Sequence, residues 1–134
     1  MATIKRFEDL DAWKLSRELC DKIGKLIDKE AFKKNFRLIG QVEGSSGSIR
    51  DNIAEGFERG SRAEFIVFLG YSKGSCGELR SQLYRALDRK YITQEQFEEL
   101  YLMMVRMSAM LQKFISYLLK TDVKGLRKKE PLNH

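Results

Sequence analysis

The chain has one proline, Pro131, and one histidine, His134, among its 134 residues. Both sit at the far end, so no proline interrupts a helix in the body of the chain. A lone terminal histidine also removes the usual general base and metal ligand from the fold. The paired Glu-x-x-His motifs of di-iron bundles cannot be built, and no histidine is placed to activate a serine or cysteine. The two cysteines, Cys20 and Cys76, lack Cys-x-x-Cys spacing and read as reduced core residues, not as a disulfide or zinc site. No apolar run approaches about eighteen residues, so no membrane span is expected. The start, Met1 to Arg6, lacks the apolar block of a signal peptide, which leads to an expected cytoplasmic location. There is no Walker-type loop and no Gly-x-Ser-x-Gly. Glu55 and Glu78 are the carboxylates to weigh as a glycosidase pair, but a compact bundle offers no sugar cleft. The expectation is no enzyme, no metal and no cofactor.

What the chain has is helical periodicity. No stretch shows the alternation of a strand, and four segments account for nearly everything. The first runs from about Asp9 to Lys29, with Leu10, Trp13, Cys20, Ile23 and Ile27 on one face. The third is opened by the capping box Ser61-Arg62-Ala63-Glu64 and reaches about Lys90. The fourth is opened by Thr93-Gln94-Glu95-Gln96. Long segments with short connections predict an all-α, antiparallel up-down-up-down four-helix bundle over residues 1–122, followed by a basic tail over 123–134.

The second segment, about Phe36 to Phe57, contains the linker-like run Gly44-Ser45-Ser46-Gly47-Ser48. Its apolar residues nevertheless keep phase: Ile39, Val42, Ser46, Ile49 and Ile53 hold one face through it. That predicts an unbroken helix closing at Gly56. Interior glycines weaken a helix by roughly 1 kcal/mol each against alanine. Close approach of a neighbouring helix is therefore expected at Gly40, Gly44 and Gly47.

Beside this face runs a polar line, Gln41, Ser45, Ser48, Asn52 and Glu55. The third segment carries a matching line that includes Tyr71, Ser75, Glu78 and Arg85. Two readings stay open: a partly buried hydrogen-bond network that fixes helix register, or a functional surface. The fourth segment has apolar residues around nearly its whole girth. Tyr101, Met103, Met110 and Tyr117 are therefore expected at an interface between subunits.

Taken together, Phe7-Glu8-Asp9-Leu10-Asp11-Ala12-Trp13, Gln41, Ser48-Ile49, Asn52-Ile53-Ala54-Glu55-Gly56-Phe57, Arg59, Ser61, Phe65, Phe68-Leu69, Gly74-Ser75 and Glu78-Leu79 carry a resemblance. It is to the bacterial four-helix bundle family named after proteins encoded in intervening sequences of 23S ribosomal RNA genes. It spans about residues 5–120. The resemblance implies a ring-shaped homopentamer without known catalytic activity, with Gln41, Ser48, Asn52, Glu55, Gly56, Ser75 and Glu78 as its signature. Relatives include accessory proteins of diversity-generating retroelements, which associate with a reverse transcriptase. The chain departs from the family at Glu43-Gly44-Ser45, where a basic residue and alanine are common.

The formal charge is +6. Half of it falls in the tail, where Lys124, Arg127, Lys128 and Lys129 outweigh Glu130. Such an excess is compatible with RNA or DNA. Arg50, Arg59, Arg62, Arg85, Arg89, Lys90 and the four tail cations are the candidate phosphate contacts. The alternative is a ring that holds a partner protein, such as a reverse transcriptase, with no direct role for nucleic acid.

Overall fold

The computed structural model describes residues 4–125, with side chains over 4–121. Four helices make up the described chain: α1 (Asp11–Ile27), α2 (Phe36–Glu58), α3 (Arg62–Asp88) and α4 (Gln94–Gly125). No strand occurs among the described residues. They form a four-helix bundle in which α2 packs on α1 and α3, and α4 packs on α3 and α1. The expected tail cations Lys124, Arg127, Lys128 and Lys129 have side chains outside the described residues, although α4 itself continues past residue 122.

α1 is preceded by a 3-10 turn, Phe7–Asp9, and is shorter at both ends than its periodicity suggests. The turn directs Phe7 back onto Trp13, with ring centroids 5.3 Å apart and edge to face. α2 begins on Asn35, whose side chain accepts from the Leu38 amide at 3.0 Å, satisfying one orphan donor. It then passes unbroken through the Gly-Ser cluster. Its stripe of Leu38, Val42, Ile49 and Ile53 is at most 1% exposed. Each such side chain contributes roughly 1.5–3 kcal/mol of burial, enough to outweigh poor local propensity.

Two expectations for α2 need correction. The helix does not close at Gly56 but runs to Glu58, and Gly56 is buried inside it. Gly60, with φ 79°, takes the left-handed position that ends the helix. Gly40, Gly44 and Gly47 do not permit a close crossing within the subunit, since a Cβ at any of them would meet nothing within 4 Å.

The caps of α3 and α4 follow the expected chemistry. Ser61 Oγ accepts from the Glu64 amide at 3.1 Å. Thr93 Oγ1 accepts from the Gln96 amide at 3.1 Å while Gln96 Oε1 accepts from the Thr93 amide at 2.8 Å. α3 ends in a Schellman arrangement: the Tyr91 amide donates to Ala86 O at 2.9 Å and the Lys90 amide to Leu87 O at 3.0 Å. The left-handed residue there is Lys90, φ 63°, where glycine would be the unstrained choice.

Candidate nucleic-acid interface

The polar lines of α2 and α3 meet along one seam. Arg85 Nη1 donates to Gln41 Oε1 at 2.9 Å, and Ser45 Oγ donates to Glu78 Oε1 at 3.2 Å. Ser75 Oγ donates to Ser48 Oγ at 2.9 Å, and Asn52 Nδ2 donates to Ser48 O and Oγ at 2.8 and 2.9 Å. Positions rise along α2 as they fall along α3. The two helices also share a pattern that the polar stripes alone do not reveal. Gly40, Gly44, Ser45, Gly47 and Arg50 recur as Gly70, Gly74, Ser75, Gly77 and Arg80. Exchanging the helices maps the Ser45–Glu78 contact onto Ser75–Ser48, so the seam has a local two-fold character.

Glu55 departs from the expected inward network. Its carboxylate side chain is 53% exposed and pairs with Arg59 at 2.7 Å. The two further residues of helix bring Arg59, four residues beyond Glu55, within reach of its carboxylate. Glu64 adds a second acid to Arg59 at 3.4 Å, and the guanidinium lies 4.8 Å from the Phe68 ring.

The expected phosphate contacts therefore fall into different environments. Arg59 is held by two carboxylates, and these raise its pKa, the Glu55 hydrogen bond most strongly. Arg50 lies over the Trp13 ring, 5.3 Å from its centroid, together with Arg17 at 5.7 Å. Arg62 buries its Nε without a partner. Arg85 is tied to Gln41. Arg89 and Lys90 are exposed and make no ion pair among the described residues.

Arg89 and Lys90 are joined by cations that the motif reading does not single out. Phe32, fully buried, packs its ring 5.7 Å from that of Tyr91. This contact holds the α1–α2 connection, with Lys29, Lys33 and Lys34, against the α3–α4 turn. Arg37 stands one helical turn before Gln41, as Arg89 stands one turn after Arg85. The Gln41–Arg85 bond thus brings the two arginines toward one end of the seam. At this end lie Lys29, Lys33, Lys34, Arg37, Arg85, Arg89 and Lys90 together with Asp28, Glu30, Asp88 and Glu95, and none of the eleven forms an ion pair among the described residues. Beside it Lys22 pairs with Glu99 and Lys25 with Asp21, and at the opposite end Arg6 is paired with Glu8 and Asp9, and Arg59 with Glu55 and Glu64.

The expected interface residues on α4 divide similarly. Tyr101, Met103 and Met110 are half-buried against the subunit's own core, Tyr101 lying 5.8 Å from Phe97 and 6.4 Å from Tyr84. Tyr117 is exposed, and so are Leu102, Val105 and Leu119. Neither thiol is poised as a nucleophile. Burial raises the pKa of Cys20, whose Sγ donates to Ser46 O at 3.2 Å, and pushes Cys76 to about 11. Among the described residues no three His, Cys, Asp or Glu side chains gather to hold a metal ion, and no helix is long and apolar enough to cross a membrane.

The family described as 23S rRNA-intervening sequence protein matches residues 8–113. The chain belongs to this family. A crystal structure of a protein of unknown function from the S23 ribosomal protein family of Bacteroides thetaiotaomicron, at 1.70 Å, has a TM-score of 0.72 and 28% identity to it. The match covers 78% of this chain and 97% of that one. Among curated proteins there is no match. The 23S rRNA-intervening sequence protein region takes in the whole α2–α3 seam, and Gly56 is buried where these two helices meet.

Proposed function

We propose that this chain is a non-catalytic four-helix bundle whose subunits associate into a ring and whose basic end binds the phosphate backbone of nucleic acid. Each helix runs opposite to its sequence neighbour in this reading, supported by the falling register from Gln41–Arg85 through Ser45–Glu78 to Ser48–Ser75. The observation that carries the binding proposal is Lys90. It is an exposed lysine held at φ 63°, where glycine avoids a steric cost of order 1 kcal/mol. An outlier of this kind points to a use for the side chain, and its neighbours are cations without acid partners. No stacking platform or recognition helix accompanies them, so backbone contact without base selection fits best.

A salt titration against structured RNA tests this. If about three phosphates are neutralised per subunit, raising salt from ~50 to ~200 mM weakens binding roughly 40-fold. Arg89→Glu with Lys90→Glu should abolish binding. Lys5→Glu with Lys14→Glu, an equal charge change at the opposite end of the bundle, should cost far less. No binding at low salt, or equal losses in the two pairs, would remove the proposal. The competing reading, a scaffold for a partner protein, draws on the exposed apolar residues of α4, Leu102 at 69% above all.

A further inference from the structure

We infer that the outer face of α4 in one copy docks on the outer face of α2 in the next, in parallel and in one fixed register. This rests on the ring proposed above and assigns its contact surface. α2 and α4 lie diagonally in the bundle, each packed on α1 and α3 but not substantially on each other. Their outer faces are therefore different surfaces of one subunit, as a head-to-tail contact between identical subunits requires.

The two faces are complementary in charge and in relief. On α2, Asp51 and Glu58 are spaced by seven residues and exposed, and on α4 so are Lys113 and Lys120. None of the four has an ion-pair partner among the described residues. Before the acids, α2 offers Gly40, Gly44 and Gly47, where a Cβ would meet nothing within 4 Å. α4 presents Leu102, 69% exposed, on the same side as its lysines. Interior glycines weaken α2, and no close helix crossing inside the subunit makes use of these three. A helix laid from outside along this flat strip would do so.

A single alignment satisfies all these contacts. Placing Lys113 opposite Asp51 also places Lys120 opposite Glu58 and Leu102 opposite Gly40, because the spacing is the same on both helices. The acidic start of α4, Glu95 and Glu98, then falls near Arg37. Reversing α4 would set its lysines toward Arg37 and its glutamates toward Asp51, like against like. Subunits related by an axis along the bundle all point the same way. With α2 and α4 both opposed to α3, the α4 of one copy meets the α2 of the next in parallel. Charge and symmetry thus select the same orientation.

The test is solution mass by light scattering across a dilution series of the full chain, with circular dichroism to confirm helix content. Lys113→Glu should weaken association at least tenfold, and adding Asp51→Lys to it should recover most of the loss. Gly44→Leu, open to solvent within the subunit, should keep the helix and lose the assembly. A wild type that stays monomeric at high concentration would overturn both the interface and the ring. A wild type that assembles, with Lys113→Glu and Gly44→Leu assembling equally well, would overturn this interface and leave the ring standing. Should Gly44→Leu fail to fold, the charge swap decides alone.

Discussion

Gly56 lies so close to Phe68 that a Cβ on the glycine would fall 2.6 Å from the Phe68 Cβ and 3.0 Å from Phe65 Cδ1. Neither neighbour can swing away easily, because one is a Cβ next to the backbone and the other belongs to a ring 2% exposed. Gly56→Ala must therefore push α2 and α3 apart. Overpacking costs about 1–3 kcal/mol, and the better helix propensity of alanine offsets roughly 1 kcal/mol of it. A net loss of about 1 kcal/mol is expected in urea unfolding. A midpoint equal to or above wild type would show that the helices do not cross this closely.

Gly44→Ala should act in the opposite direction. The new methyl group meets nothing within 4 Å, so only the propensity gain remains. The expected rise is about 0.5–1 kcal/mol, read by urea unfolding at concentrations low enough to keep the subunit monomeric. A loss of stability under those conditions would mean that something in the subunit already covers the site.

How much of this could be read beforehand depends on the range of each interaction. The course of α2 through Gly44 to Ser48 is legible because Val42, Ile49 and Ile53 keep helical phase on both sides. The capping boxes at Ser61 and Thr93 are legible because their chemistry closes within four residues. Glu55 is misplaced by a local effect: two further residues of helix bring Arg59 into reach, and the carboxylate turns to it. Tyr101 is drawn inward by Tyr84 and Phe97, one of them on another helix. The basic end is the least legible feature. It forms only when Phe32 docks on Tyr91 and brings together two connections far apart in sequence.

Lys90→Gly separates stability from binding. Glycine enters the left-handed region without the steric cost that lysine bears at φ 63°, so stability should rise by about 1 kcal/mol. Binding to structured RNA should weaken, since one cation of the basic end is lost and the salt slope falls by about one counterion. A variant that is more stable and binds equally well would take Lys90 out of the interface.

The last expectation concerns alkaline pH and Cys76. This thiol is 1% exposed between α3 and α4, and its Sγ donates to Met104 O at 3.3 Å. Burial disfavours the thiolate and raises the pKa from 9.0 to about 11, with Arg80 opposing the shift. The unfolded chain therefore releases this proton first as pH rises. Between pH 9 and about 11 the unfolded state binds fewer protons than the folded state, so stability falls with rising pH. The contribution is fully present below pH 9 and is lost through the folded-state value. The informative quantity is the difference between wild type and a Cys76 variant. Cys76→Ala should lower stability at neutral pH through lost packing and give a shallower decline between pH 9 and 11. Parallel declines for wild type and variant, measured by urea unfolding across that window, would mean that Cys76 ionises as readily in the fold as in the open chain.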